Sequence, residues 1–294
     1  MRDADDHATT IALIGAGEMG AAVGRRLREC GARVLTSVAG RSASSAARVR
    51  DAQLEVAADD DALVRDASLV LSIVPPGVAI AVAERLREPL RRAHSQPVFV
   101  ECNAIAPATT RRIATILEAV SFVDGGIIGG PPRAGTQDPA QGPRFYVSGP
   151  QANRVTRLAD FGLDIAVLDG PVGAASGLKL AYAGLTKGFT ALAAAMANAA
   201  ARDGLADALR VELARTQPEM LARLDRFVPQ MFPKAYRWVA EMAQIAEFVG
   251  SPADGAGIYD GAARLFEELA AQFAGATAPV GLERLAAFCK RSDR

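Results

Sequence analysis

Between Thr10 and about Pro150, short β-branched and aliphatic runs alternate with segments whose apolar positions recur at helical spacing. Such alternation predicts repeated βαβ units and a doubly wound, mostly parallel α/β sheet. The predicted strands are Ile11 to Ile14, Ala32 to Val38, Leu69 to Val74, Val98 to Glu101, Phe122 to Gly125 and Arg144 to Ser148. Helices are expected to begin near Met19, Ser44, Ala79 and Thr109. After Asp169-Gly170-Pro171 the pattern changes: no strand-like run returns, and Gly173 to Arg202 reads as one long Ala- and Leu-rich helix between two domains. Leu205 to Arg215, Pro218 to Val228, Pro233 to Val249 and Ala262 to Phe273 read as amphipathic helices separated by Pro and Gly. The expected organisation is a flexible tail over 1–9, an α/β domain over 10–170 and an all-α C-terminal domain over 171–294 that begins with the interdomain helix. The Arg pairs at 25–26, 91–92 and 111–112 read as solvated helix faces.

Composition narrows the function classes. The chain has 294 residues, 50% hydrophobic and 22% charged, with a formal net charge of zero, which describes an ordinary folded globule. Such a balance argues against nucleic acid and against a membrane surface as partners. Ala191 to Ala201 is apolar, but Lys187 and Arg202 bound a stretch too short for a bilayer span. The first ten residues are polar and acidic and do not read as a signal peptide. Cys30, Cys102 and Cys289 are far apart, show no metal-ligand spacing and are odd in number, so a cytoplasmic protein without metal or a disulfide framework is expected.

The strongest chemical signal is Gly15-Ala16-Gly17-Glu18-Met19-Gly20, which follows the apolar run Ile11 to Ile14 and opens a helical segment ending near Gly31. In that context the first glycine permits a tight turn, the second lets the backbone approach a pyrophosphate, and the third lets helix pack closely on strand. A Rossmann-type dinucleotide-binding domain is therefore expected. NAD enzymes of this type place an acidic residue about 20 residues further on for the ribose hydroxyls. Here no acidic residue stands between Glu29 and Asp51, and the second strand leads into Gly40-Arg41-Ser42. A guanidinium and a hydroxyl there suit the 2′-phosphate, so NADP(H) is expected in preference to NAD(H).

These residues, with four later segments, resemble the β-hydroxyacid dehydrogenase superfamily, which includes 3-hydroxyisobutyrate and 6-phosphogluconate dehydrogenases. The resemblance spans most of the chain. The family's Val-Pro segment beside the nicotinamide is matched by Ser72-Ile73-Val74-Pro75-Pro76, which implies cofactor contacts from Val74, Pro75 and Pro76. Its Asp-x-Ser-x-x-x-Pro element corresponds to Glu101 to Pro107, with Asn103 in the serine's place; the resemblance puts Asn103 beside both cofactor and substrate. Its Asp-Ala-Pro-Val-Ser-Gly-Gly substrate segment appears as Asp124 to Gly130, with Ile128 for the serine and Gly129 and Gly130 retained. Its lysine helix is matched by Gly173 to Lys179, which implies Lys179 as the catalytic residue. The family's Asn four residues later is Ala183, and the Glu that another branch places seven residues later is Thr186. The segments 177–188 and 234–242 resemble a phosphogluconate-dehydrogenase-like branch with its own C-terminal domain.

Hydride transfer at a carbon bearing oxygen requires a proton donor or acceptor at that oxygen. The two histidines, His7 and His94, lie in polar segments away from the motifs, whereas Lys179 interrupts the apolar run Leu178, Leu180, Ala181. Ala183 and Thr186 fall on nearly the same helical face as Lys179, with Tyr182 and Lys187 on either side. The expected function is hydride transfer between nicotinamide and a small hydroxy acid or carbonyl compound, with Lys179 as general acid/base. Asn103, the Gly129 and Gly130 amides, Tyr182 and Thr186 are expected at the substrate, and Trp238, on a helix with Tyr236, Arg237 and Glu241, at the edge of the cleft. An imine reductase, or a cofactor-binding sensor without turnover, are the alternatives. A homodimer through the all-α domain is the expected assembly.

Overall fold

The structure, a computed structural model, describes residues 9–135 and 138–289. The expected tail, Thr9 apart, lies outside the described residues, and so does His7. The chain divides into two compact units, Met1–Lys179 and Leu180–Arg294.

The first unit is built on eight strands: β1 Thr10–Ile14, β2 Arg33–Thr36, β3 Glu55–Val56, β4 Leu69–Ser72, β5 Val98–Glu101, β6 Ser121–Ile128, β7 Arg144–Ser148 and β8 Asp164–Val167. Their order is β3-β2-β1-β4-β5-β6-β7-β8, parallel throughout except where β6 meets β7. The helices of this part are α1 Glu18–Glu29, α2 Ala43–Asp51, α3 Asp60–Val64, α4 Ala79–Arg92 and α5 Pro107–Ile116. The central strands are apolar along their whole length because both faces are covered. Ile11 and Leu13 join Val23, Leu27, Leu71 and Val100 in one core, while Ala12 and Ile14 join Val70, Leu86, Phe99 and Phe122 in the other. The alternation follows from the two-residue period of a strand.

Several elements differ from the sequence reading. The second strand is shorter, ending at Thr36, whose hydroxyl donates to the Leu13 carbonyl at 2.8 Å. The sixth runs to Ile128 rather than stopping at Gly125. Its two glycines are not a turn; they leave room for neighbours on both faces. A methyl group on Gly125 would stand 2.9 Å from Cys102 Sγ, and one on Gly126 would stand 2.6 Å from the Ala175 carbonyl oxygen. The two-residue edge strand β3, the edge strand β8, which is half-buried to exposed and so lacks an apolar run, and the short α3 are additional to the expected set. Arg26 is not on a solvated face: it is buried, and its guanidinium donates to the carbonyls of Gly162 and Arg133 at 3.2 and 3.3 Å.

Helix α6, Ala174–Arg202, spans the division between the units as one continuous element. The second unit continues with α7 Ala206–Thr216, α8 Pro218–Met231, α9 Ala235–Val249, α10 Ala256–Phe273 and α11 Val280–Cys289. The expected helix from Ala262 begins earlier, at Ala256, and α11 is additional to the set. Leu224, Val228, Met242, Ile245, Phe266 and Leu285 are among its buried residues. Among the described residues no helix is long and apolar enough to cross a membrane.

Candidate functional site

The strand order reverses between β1 and β4, which run from the same central position toward opposite edges of the sheet. At such a switch point the crevice outside the carboxyl ends of the strands is where an open α/β sheet takes its ligand. The turn after β1 and the segment after β4 meet there. Gly15, with φ +105°, lies so close to β4's extension that a methyl group on it would stand 2.2 Å from the Ile73 carbonyl oxygen. A methyl group on Gly20 would stand 1.9 Å from the Gly15 carbonyl oxygen. Gly17, at the N-terminus of α1, is exposed and has no atom within 4 Å of the place its side chain would take. Two glycines thus close the turn, and the third leaves an open approach to the helix N-terminus. This division fits a diphosphate seated on backbone N–H groups.

Beyond β2, the turn carrying Gly40, with φ +68°, leads to Arg41 and to Ser42 at the start of α2. The Ser42 hydroxyl accepts the Ser45 N–H at 3.3 Å and so caps α2. Arg41 is half-buried and makes no ion pair among the described residues, whereas Arg33 nearby is held by Glu55 at 2.7 Å. After β4, Val74 is buried and Pro75 is exposed, with Pro76 between the two. Asn103 does not face open space. It is 3% exposed, its Oδ1 accepts the Val74 N–H at 2.6 Å, and its Nδ2 donates to Ser72 Oγ at 3.0 Å. The side chain ties the Val74 segment to the ends of β4 and β5.

A row of polar side chains crosses the sheet at this level. Ser72, Glu101, Asp124 and Ser148 are register partners on β4, β5, β6 and β7, and all four are fully buried. Asp124 is the centre of a dense network. Its carboxylate accepts the Ser148 hydroxyl at 2.9 Å, the Gly173 N–H at 2.8 Å and the Ser176 N–H at 3.1 Å, together with the Ser176 hydroxyl. Ser148 Oγ in turn accepts the Ala175 N–H at 3.0 Å, and the Thr110 hydroxyl lies 2.8 Å from Ser176 Oγ. The first turn of α6 is therefore capped from the sheet rather than by its own preceding residue.

Lys179 follows one turn later. Its Cβ lies 3.1 Å from where a methyl group on Gly126 would be, so the absence of a side chain on β6 lets the Ala175–Lys179 turn rest on the strand. Gly126 shares its face of β6 with Asp124. The lysine thus begins over the same face as the polar row, and it is half-buried. Gly129, with φ +127°, and Gly130 follow the end of β6 and are exposed.

Glu101 differs from Asp124 in its environment. Its Oε1 accepts the Asn103 N–H at 3.0 Å, while Oε2 has no partner among the described residues. Burial, reinforced by the charge of Asp124, pushes its pKa up to about 8, against the Asn103 and Ser72 hydrogen bonds, which favour the charged form. Burial also pushes the neighbouring Cys102 thiol well up, which makes it a poor nucleophile.

The remaining expected residues lie further along. On α6, Tyr182 is exposed, and the Thr186 hydroxyl donates to the Tyr182 carbonyl at 2.9 Å, within its own helix. In the second unit Trp238 packs edge-on against Phe266, ring centres 5.2 Å apart, with the Lys187 ammonium 5.1 Å from its ring. Lys187 is paired with Glu241, and burial lowers its pKa despite that partner. Trp238 is thus brought to Lys187 inside the all-α unit. Sequence reasoning missed Ser148, Ser176 and Thr110 as parts of the site, and it named Asp124 only as the first residue of a substrate segment, without its capping role. A signal for the row existed: Val-Leu-Ser72, Val-Phe-Val-Glu101, Phe-Val-Asp124 and Tyr-Val-Ser148 each end an apolar strand run on a polar residue.

The switch point and the glycine turn define a dinucleotide-binding architecture. The chain belongs to the family whose model, the NAD binding domain of 6-phosphogluconate dehydrogenase, matches residues 10–161. A domain of unknown function (DUF1932) matches residues 200–269. An uncharacterised 28.5 kDa protein of Methanothermus fervidus is 27% identical over 240 residues, 81% of this chain and 90% of that protein. Among solved structures, the conserved protein MTH1747, of unknown function and similar in structure to 3-hydroxyacid dehydrogenases, is 29% identical with a TM-score of 0.66, covering 88% of this chain and 96% of that one. The 3-hydroxyisobutyrate dehydrogenase of Mycobacterium tuberculosis, solved with L-serine, shares the fold at 18% identity and a TM-score of 0.60, covering 98% and 100% of the two chains. The family match supports an NAD(P)-dependent oxidoreductase, and the solved structures share its fold.

Proposed function

We propose that this chain transfers hydride between NADP(H) and a small hydroxy acid or the corresponding carbonyl compound, with Lys179 as general acid/base. The observation that supports this reading is the seating of Lys179: a helix capped by a buried carboxylate on the sheet and pressed onto Gly126, over the face that carries the buried polar row. When bound, the nicotinamide supplies the hydride acceptor or donor. The chain's own residues do the rest. The N–H groups at the start of α1 receive the diphosphate, and Val74, Pro75 and Pro76 form the wall beside the ring. Lys179 Nζ takes the hydroxyl proton as the carbonyl forms and returns it in reduction. The exposed Gly129 and Gly130 amides are available for substrate contacts, and Asn103 acts as a brace behind Val74.

The proposed preference for NADP rests on Arg41, which follows the second strand of the fold and whose guanidinium makes no ion pair among the described residues, leaving it available for a 2′-phosphate. Titration of the purified protein with NADPH and NADH tests this, with tighter binding of NADPH expected and equal affinity overturning it. Turnover with a panel of keto acids, hydroxy acids and imines tests the reaction. Lys179→Ala is expected to lower kcat by at least about a hundredfold on the true substrate, and near-normal turnover would remove Lys179 from the mechanism.

A second copy of the chain is the proposed partner. Leu178, Tyr182, Leu185, Phe189, Leu192 and Met196 recur at three- and four-residue spacing along α6. Leu185, Leu192 and Met196 are 73%, 62% and 56% exposed, a stripe of the kind that helices cover in pairs. Light scattering is expected to give a dimer that Leu185→Glu disrupts; a monomer in the unaltered protein would overturn the assignment. The three cysteines, all free, suit a reducing compartment such as the cytoplasm.

A further inference from the structure

Glu101 is a buried carboxyl group to which the reaction assigns no role, and its position between two functional parts of the site invites one. On one side, its Oε1 holds the Asn103 N–H, and Asn103 in turn holds the Val74 N–H at 2.6 Å and Ser72 Oγ at 3.0 Å. On the other side stands Asp124, its register partner on β6, which caps the helix of Lys179 through the Gly173 and Ser176 N–H groups. Both carboxyl groups are fully buried. Asp124 has enough donors to carry a charge. Glu101 does not, because Oε2 has no partner among the described residues, and a charged oxygen left dry and unpaired is very costly.

We propose that Glu101 is a positioning residue kept as a neutral carboxylic acid, and that its ionisation at alkaline pH loosens both the Val74 wall and the Asp124 cap that seats Lys179. The groups that face it are Ser72 from β4, Asn103 from the segment after β5 and Asp124 from β6; Cys102, next in the chain, is a thiol held neutral by burial. Asp124 is the one of these whose oxygens are surrounded by donors. Ionising Glu101 sets two like charges on neighbouring strands in a dry core, and the carboxylate would draw the Asn103 N–H and amide away from Val74. The raised titration midpoint, about 8, agrees with the geometry and puts the change just above neutrality. The inference rests on the proposed function only in taking the Val74 wall as the nicotinamide's.

The test compares the unaltered protein with Glu101→Gln, which is neutral at every pH and keeps an acceptor for the Asn103 N–H. Three readouts are followed from pH 6 to 9.5. The infrared spectrum of the unaltered protein should hold a neutral carboxyl band at pH 7 that fades through about pH 8 and is missing from Glu101→Gln; this measurement stands even if the variant folds poorly. Hydrogen exchange at the Val74 and Ser176 amides should quicken above pH 8, beyond the intrinsic rise, in the unaltered protein alone. NADPH affinity should fall by about tenfold across the range in the unaltered protein and stay flat in Glu101→Gln. The absence of the band, or an alkaline loss of amide protection that persists in Glu101→Gln, overturns the inference. Failure to bind NADPH at any pH overturns the cofactor reading instead, and the band and the amide exchange still decide the role of Glu101.

Discussion

The buried carboxylate of Asp124 accepts the Ser176 N–H at 3.1 Å, so a residue of the sheet supplies the cap for the helix that carries Lys179. Most helices are capped by their own preceding residue, which lets the helix start drift with its loop. Here the start of α6 is locked to β6, and the lysine one turn on inherits that position. Removing the carboxylate strands two N–H donors and the Ser148 hydroxyl in a dry core. Asp124→Ala should lower stability by about 3 kcal/mol in urea unfolding, with Asp124→Asn, which can still accept, losing less. An unchanged unfolding midpoint for the alanine variant would contradict the network.

The phosphate turn predicts opposite behaviour for neighbouring glycines. Gly15→Ala forces a methyl group to within 2.2 Å of the Ile73 carbonyl oxygen at a φ of +105°, so the folded state itself should suffer, by roughly 2 kcal/mol or more. Gly17→Ala meets no neighbouring group within 4 Å, so the melting temperature should hold, while on the proposed reading the methyl group would obstruct the diphosphate and NADPH affinity should fall by at least about tenfold. If both variants lose stability equally, the turn is not organised in this way.

Gly126→Ala places a methyl group 2.6 Å from the Ala175 carbonyl oxygen and must lift α6 from β6. A displacement of even about 1 Å at the reacting centre costs up to a hundredfold in rate. The expected outcome is a fall in kcat much larger than the change in cofactor affinity, since Gly126 lies away from the glycine turn. Equal losses in both would point to general unfolding instead.

The pH dependence of stability follows from Glu101. Its folded-state pKa is raised to about 8 from an ordinary 4.5, so the folded protein holds a proton that the unfolded chain has released between those values. The contribution of Glu101 to stability is therefore greatest at or below the ordinary carboxyl range, falls as pH rises toward about 8, and levels off above it. For a fully buried group the contribution is on the order of 5 kcal/mol. Chemical denaturation of Glu101→Gln at pH 6 and 9 should show a much smaller decline than the unaltered protein; equal declines would rule the carboxyl group out as its source.

In the second unit, Lys187 and Glu241 form a mostly buried ion pair beside Trp238. Lys187→Met alone leaves an unpaired carboxylate and should destabilise by about 3 kcal/mol, whereas adding Glu241→Leu should recover most of that loss. Additive losses in a double-mutant cycle would show that the pair is not coupled.

Much of this architecture was legible in the order of residues. The apolar run before Gly15, the three spaced glycines and the missing acid after the second strand are local features, and local sterics decide what they become. The strands β1, β4 and β5 were readable for the same reason, since burial on both faces demands unbroken apolar runs. The glycines at 125 and 126 misled because their meaning is set by what presses on them, Cys102 on one face and Ala175 on the other.

What the sequence by itself determined was therefore the βαβ order, the glycine turn after the first strand and the lysine at the start of a long helix. The tertiary structure alone decided that Ser72, Glu101, Asp124 and Ser148 form one buried row and that Asp124 caps α6. These residues come from four strands scattered over 77 positions, from Ser72 to Ser148 inclusive, and only strand pairing brings them into register. The same packing gives two equally buried carboxyl groups different hydrogen-bond supply, because donors are a property of the packed neighbourhood rather than of the residue.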